Sequence, residues 1–124
     1  MLGLKSFIYL ISVPQSVEVV LRNEVLSKQG DLQGKYQLGE IVNGKQSWKT
    51  ATNAIWFNAE SKDWFIGSLS NIGTRNSEIA SMADEDQSLF GVSNYGWTYH
   101  VGDEWKVINY GDIAINCDIG GISF

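Results

Sequence analysis

Cysteine and proline are almost missing from this chain of 124 residues. Cys117 is the only cysteine and Pro14 the only proline. With one cysteine no intrachain disulfide can form, and no Cys/His spacing matches a zinc site. We therefore predict no metal and no cofactor, and cysteine usage leaves the cellular compartment open.

Basic residues and long apolar runs are scarce as well. Nine Lys and Arg stand against fourteen Asp and Glu, which gives a net charge of −5. Without a stripe of basic residues to neutralise phosphates, nucleic acid is not an expected partner. The apolar run 7–13 is far too short to cross a bilayer, so we predict no membrane span. No Asn-x-Ser/Thr glycosylation site occurs, and one common mark of a secreted surface is absent.

The first fifteen residues are consistent with two interpretations. Residues 7–13 are β-branched and aromatic and end at Pro14, which is typical of an edge strand. The same run follows Lys5 and resembles a short leader core, although residues 13–16 make a poor cleavage site. We therefore expect residues 1–15 to be either an N-terminal strand or a leader remnant, residues 16–119 a single β domain, and residues 120–124 a tail.

Tryptophan and glycine are the residues this chain has in excess. Trp48, Trp56 and Trp64 are eight residues apart, as are Trp97 and Trp105, and thirteen glycines accompany them. Eight residues is about one short strand and its turn. The length suits one domain. The pattern predicts an all-β fold, a small antiparallel meander forming a β-sandwich or barrel.

Alternation and turn signals place the individual strands. Asn43-Gly44 is the strongest hairpin signal, Gly102-Asp103 is a second, and Gly67 predicts a bulge or a close backbone approach. A helix over 16–29 competes with the first strand of the domain. The predicted strands are 16–21, 35–42, 45–50, 54–58, 64–69, 78–82, 97–101, 105–108 and 113–117.

The order of several short motifs resembles a known type of module. They are Gly34-Lys35-Tyr36, Val42-Asn43-Gly44 with Trp48, Ala54-Ile55-Trp56-Phe57, Trp64-Phe65-Ile66-Gly67, Ile72-Gly73, Trp97-Thr98-Tyr99, Trp105 and Asp112-Ile113-Ala114-Ile115-Asn116-Cys117. Together they resemble a small tryptophan-rich β module that recurs, often in tandem, in secreted and cell-surface proteins of invertebrates. In such modules the final cysteine usually pairs with one upstream, whereas residues 87–96 contain none here. The resemblance implies an extracellular recognition or adhesion role and carries over no catalytic residue.

The aromatic residues divide into a predicted core and a predicted surface. Trp56 and Trp64 lie among apolar neighbours and are expected in the core. The second tryptophan pair lies in polar, turn-rich sequence, where rings on a β surface can stack on sugar faces. The predicted ligand-binding residues are Trp97, Tyr99, Trp105, Tyr95 and His100, with Asn94, Asp103 and Asn109 as hydrogen-bonding groups.

Two further groups contain residue types that occur in chemical sites, an acidic run and a single histidine. Asp84-Glu85-Asp86 lacks the spacing of a calcium loop, so this run favours a solvated acidic turn. His100 is the only histidine, and no nucleophile or partner acid accompanies it in the sequence, so we expect an exposed residue and no enzyme.

The composition and motifs therefore favour a non-catalytic, lectin-like recognition or adhesion module that binds a glycan or a protein surface. The alternative is a structural subunit of a homo- or hetero-oligomeric assembly, because strand edges and aromatic patches can self-associate. A small hydrolase is the third hypothesis. The expected location is secreted or cell surface, with an intracellular one left open.

Overall fold

A computed structural model describes residues 14–82, 88–92, 96–119 and 122–123. The described strands all run antiparallel in one sheet, in the order β10-β9-β1-β2-β3-β4-β5-β6-β7-β8, which confirms the all-β meander. The strands are β1 (Ser16–Leu21), β2 (Gly34–Val42), β3 (Lys45–Lys49), β4 (Asn53–Asn58), β5 (Asp63–Ser68), β6 (Ile79–Ser81), β7 (Trp97–Val101), β8 (Glu104–Val107), β9 (Ile113–Ile119) and β10 (Ile122–Ser123). The helices are α1 (Asn23–Gln29) and α2 (Leu89–Val92), with 3₁₀ turns at Gly30–Leu32 and Leu69–Asn71.

The sheet curls into a half-barrel. Strands β1 to β8 follow one another in sequence order, and β9 returns to pair with β1. Within the described residues, β8 pairs only with β7, so the curl does not close. Of the two predicted arrangements, the structure lies closer to the barrel, because a sandwich would need two separate sheets. The predicted tail contains β10, which pairs with β9.

The inner face of the half-barrel holds the main core. Val17, Val19 and Leu21 alternate into it from β1, and Val25 of α1 packs against them. The strand prediction for 16–21 is confirmed, and the competing helix over 16–29 is wrong in its first half. Alternate apolar residues of β1 match the pleat of a strand with one buried face, and the helix starts only after Arg22.

A smaller apolar cluster lies on the outer face. Trp56, Phe65, Ala54 and Ala80 are its buried members, with Val42, Leu69 and Ile72 packed against them. The segment between β5 and β6 covers this cluster. It comes so close that a Cβ on Gly67 would lie 3.2 Å from the Cα of Ser77, which confirms the predicted close approach.

The two hairpin signals are also confirmed. Asn43 and Gly44 have φ angles of 53° and 86°, as a type I′ turn between β2 and β3 requires. Gly102 has a φ of 60° in the two-residue turn between β7 and β8. Residues 1–13 and the acidic run 84–86 lie outside the described residues.

Candidate functional site

Tryptophans eight residues apart point to opposite faces of the sheet. In the β4–β5 hairpin, Trp56 lies opposite Phe65, and Trp64 lies opposite Phe57, the next residue after Trp56. Residues that lie opposite each other share a face, and neighbours along a strand do not. Trp64 therefore faces the inner core and Trp56 the outer cluster, and both are buried, as predicted.

The β7–β8 hairpin follows the same rule. Trp105 lies opposite His100, while Trp97 and Tyr99 occupy the alternate positions of β7. Trp97 is 1% exposed and Tyr99 4% exposed, and both belong to the inner core. Their assignment to a ligand surface is therefore wrong, because the pleat turns them away from solvent. Burial, followed by the nearby Glu24, raises the pKa of Tyr99.

Trp105 and His100 are the predicted site residues that remain on the outer face. Trp105 is 49% exposed, and its ring centroid lies 5.2 Å from that of His100 at an angle of 45°. His100 is partly buried, so the expectation of an exposed histidine is wrong. The indole of Trp105 shields part of the imidazole.

The remaining predicted residues do not join this pair. Asp103 is exposed in the β7–β8 turn, and Asn109 is exposed in the loop after β8. Asn94 and Tyr95 lie outside the described residues. The structure thus keeps two of the eight predicted residues on one candidate surface.

A groove runs across the outer face beside Trp105, and we call it the outer groove. Ala80 of β6 and Thr98 of β7 are neighbours across the sheet, and both are small. Phe65 lies opposite Ala80 on the other side, so its ring and that of Trp105 flank the two small residues. The volume is about 520 Å³, within the range of small-molecule sites. The lining residues are Asn58, Glu60, Ser61, Asp63, Phe65, Arg75, Ala80, Thr98 and Trp105.

Hydrogen bonds fix the polar side of the outer groove. The Asn58 Oδ1 accepts from the backbone N–H of Glu60 at 3.1 Å and of Ser61 at 3.0 Å, and also from the Ser61 hydroxyl. These bonds order the β4–β5 turn as an Asx motif does. The turn therefore holds Glu60 and Ser61 at the groove.

A second set of bonds anchors the segment that carries Arg75. The carbonyl of Thr74 accepts from the Trp56 Nε1 at 3.1 Å and from the Asn58 Nδ2 at 3.3 Å. Arg75 then lies 3.5 Å from the Glu60 carboxylate, in an exposed ion pair. Such exposed pairs contribute little stability, so these two side chains can reorient toward a ligand at small cost.

Asp63 carries the least satisfied polar group of the groove. Its Oδ1 is buried and has no hydrogen-bond partner among the described residues. Burial raises the pKa of Asp63, and a hydrogen bond from Ser61 opposes this in part. No sequence pattern indicates Asp63, because the burial of its Oδ1 depends on how segments distant in the sequence pack around it.

The described residues contain no group of three or more His, Cys, Asp and Glu side chains placed to hold a metal ion. Among the same residues, no helix is long and apolar enough to cross a membrane. No family model, curated protein or solved structure matches the chain. The resemblance to the tryptophan-rich module therefore stays a prediction.

Proposed function

We propose that this chain is a non-catalytic recognition module that binds carbohydrate in the outer groove. The observation that carries the proposal is Trp105, a half-exposed indole beside a groove with polar walls. A sugar ring offers an apolar face of C–H groups and a rim of hydroxyls. The groove offers an aromatic face and hydrogen-bonding groups on one surface, which matches both parts.

The exposed groups at the rim of the groove supply the polar contacts, because the Oδ1 of Asp63 is buried and closed to a ligand. Arg75 and Glu60 can form hydrogen bonds to sugar hydroxyls there, since among the described residues their side chains are held by a single exposed ion pair.

The groove also supports a second candidate function, a glycoside hydrolase. Hydrolysis of a glycoside needs two carboxyl groups, one with a raised pKa that acts as the acid. Asp63 and Glu60 both line the groove, and the pKa of Asp63 is raised. We favour binding alone because Glu60 is exposed and paired with Arg75, so it is not held as a nucleophile or base.

Isothermal titration calorimetry against a panel of neutral and acidic oligosaccharides tests the proposal. We expect saturable binding of at least one sugar and its loss in Trp105→Ala. Tyr110→Ala is the matched control, because Tyr110 is a fully exposed aromatic residue outside the groove. No heat of binding across the panel, or unchanged binding in Trp105→Ala, would contradict the proposal.

The same mixtures separate the two candidates. Release of reducing ends from a bound oligosaccharide, lost in Asp63→Asn, would identify a hydrolase. Intact sugar after prolonged incubation supports the recognition module. We extend the proposal to adhesion at a secreted or cell-surface location, which the resemblance to the invertebrate module supports.

A further inference from the structure

The charged side chains that line the outer groove are unbalanced in sign. Glu60 and Asp63 carry carboxyl groups, and Arg75 is the one cation among the described lining residues. The Nη1 of Arg75 lies 3.5 Å from the Oε1 of Glu60. The guanidinium therefore has a carboxylate partner before any ligand arrives, and an anion entering the groove has to compete for it.

A further carboxylate belongs to the same face of the sheet. The N–H of His100 donates to the carbonyl of Glu78 at 2.9 Å, which places Glu78 opposite His100 and in one row with Trp105. Strands β6 and β8 lie on either side of β7, so the backbones of Glu78 and Trp105 are about 10 Å apart. The ion pairs of the described residues do not include Glu78, so its charge adds to the negative potential beside Trp105.

Two lysines near the groove do not offset these charges. Lys106 follows Trp105 on β8 and therefore points to the opposite face, where its Nζ lies 3.5 Å from the Glu24 carboxylate. Lys62 lies in the β4–β5 turn and is not among the described lining residues. The surroundings of Trp105 thus disfavour a negatively charged ligand.

We propose that the outer groove selects neutral sugars over sugar acids, and that Glu60 is the residue that sets this selectivity. The inference rests on the proposed sugar binding and names the class of sugar. A neutral sugar and its uronic acid share the C–H face that can stack on Trp105. They differ at C6, where the first has a hydroxyl and the second a carboxylate.

The Glu60–Arg75 pair distinguishes these two groups by hydrogen bonding as well as by charge. A hydroxyl can accept from Arg75 while it donates to Glu60. A carboxylate only accepts, so it competes with Glu60 for the guanidinium and meets the Glu60 charge directly. Two like charges about 4 Å apart in water cost a factor of about five in affinity. We therefore expect a neutral sugar to bind about fivefold more tightly than the acid of the same shape.

Calorimetric titration of the full chain with matched tetrasaccharides tests the proposal. The probes are β-1,4-linked tetramers of glucose and of mannose and the α-1,4-linked tetramer of galactose, each paired with the tetramer oxidised to the uronic acid at C6. Every unit of an acid tetramer carries a carboxylate, so one reaches the rim whichever way the sugar lies. We expect at least one neutral tetramer to bind about fivefold more tightly than its acid in about 20 mM salt. This ratio should fall in about 500 mM salt, which screens the charges.

Two variants should move the ratio in opposite directions. Glu60→Gln removes the repulsion and frees Arg75, so the acid should bind at least as tightly as the neutral tetramer. Arg75→Gln leaves the Glu60 charge unopposed, so the ratio should rise above fivefold. Glu40→Gln is the matched control, because it removes the same charge from an exposed position of β2 outside the groove and should keep the wild-type ratio. Glu60 and Arg75 are exposed, so their substitution does not threaten folding.

Three results would overturn the proposal and leave sugar binding intact. The first is an acid tetramer that binds the wild type as tightly as its neutral partner or more tightly. The second is the wild-type ratio in Glu60→Gln. The third is an equal fall of the ratio in Glu40→Gln and Glu60→Gln, which would assign the selectivity to the net charge of the chain. Absence of binding to every tetramer would instead remove the proposed function, and this inference with it.

Discussion

The β4–β5 and β7–β8 hairpins carry the same tryptophan spacing and differ in what covers their outer face. Each hairpin directs one indole inward and one outward. In the first hairpin the outward Trp56 is completely buried, whereas in the second the outward Trp105 is about half exposed. The spacing therefore determines the face of each ring. Its exposure depends on a covering segment, which among the described residues only the first hairpin has.

The cover comes from the long connection that follows β5. Leu69 and Ile72 pack on the outer cluster, and the Thr74 carbonyl holds the segment to Trp56. The second hairpin lies at the edge of the sheet, and a turn of only two residues joins its strands. A surface without a cover is then available for a ligand, and the comparison predicts four differences.

The largest difference is expected between the two outward tryptophans. Trp56→Ala should lower the free energy of unfolding by about 3–5 kcal/mol, because it leaves a cavity and removes the bond to Thr74. Trp105→Ala should lower it by about 1 kcal/mol or less, since half of that ring already meets solvent. Urea unfolding followed by circular dichroism measures both. Equal losses would show that Trp105 is a structural residue, and the comparison would fail.

The second difference concerns Gly67, which lies against the backbone of the segment that covers Trp56. Gly67→Ala should lower the free energy of unfolding by about 1–3 kcal/mol, since the new Cβ would press on the backbone of Ser77 and Glu78. Gly30→Ala is the matched control, because its Cβ would meet only a side-chain atom of Leu26 at 3.6 Å. The same urea experiment applies. If the Gly67→Ala protein is as stable as the control, the backbone at Ser77 and Glu78 can move away from the new Cβ without a loss of stability.

The third difference concerns the ring beside Trp105. His100→Ala should lower the free energy of unfolding by about 0.5 kcal/mol, the lower end for an aromatic pair, because the pair is partly exposed. It should also weaken sugar binding about threefold, as the indole loses its orienting neighbour. His100→Phe keeps a ring and should restore the affinity. If His100→Ala binds sugar as the wild type does, the stacked pair plays no part in binding.

The smallest change in stability is expected for Asp63→Asn. This substitution should raise the stability of the protein, whereas the three preceding ones should lower it. Because burial raises the pKa of Asp63, the ionised carboxylate destabilises the folded state at neutral pH. The protonated form of Asp63 contributes to the stability of the folded state. This contribution is complete below the ordinary aspartate pKa, and it is lost as the pH rises through the raised pKa of the folded state. Asp63→Asn should therefore melt slightly higher than the wild type at pH 7.

Thermal melts from pH 3 to pH 8 check this sign. The advantage of Asp63→Asn should shrink as the wild-type carboxyl becomes protonated in acid. Asp103→Asn is the control, because Asp103 is exposed in a turn. A lower melting temperature for Asp63→Asn at pH 7 would mean that the hydrogen bond from Ser61 stabilises the ionised carboxylate by more than burial destabilises it.

Much of the fold could be predicted because its signals are local. Asn43-Gly44 favours a type I′ turn by backbone sterics alone, and the alternation in 16–21 indicates which residues face the core. The site could not be predicted in the same way. Trp97 and Tyr99 lie in polar sequence, yet the register of β7 places them in the core, and sequence neighbours carry no information about that register.

By itself, the sequence determined the class of fold, the hairpin lengths and the alternation that sends each tryptophan to one face or the other. These depend on the two-residue period of a strand and on turns whose φ angles favour particular residues. Only the tertiary structure decided that Trp56 is covered and Trp105 half exposed, and that the Oδ1 of Asp63 is buried without a hydrogen-bond partner among the described residues. Each of these depends on which distant segments meet, and contact between distant segments is set by the packing of the whole chain.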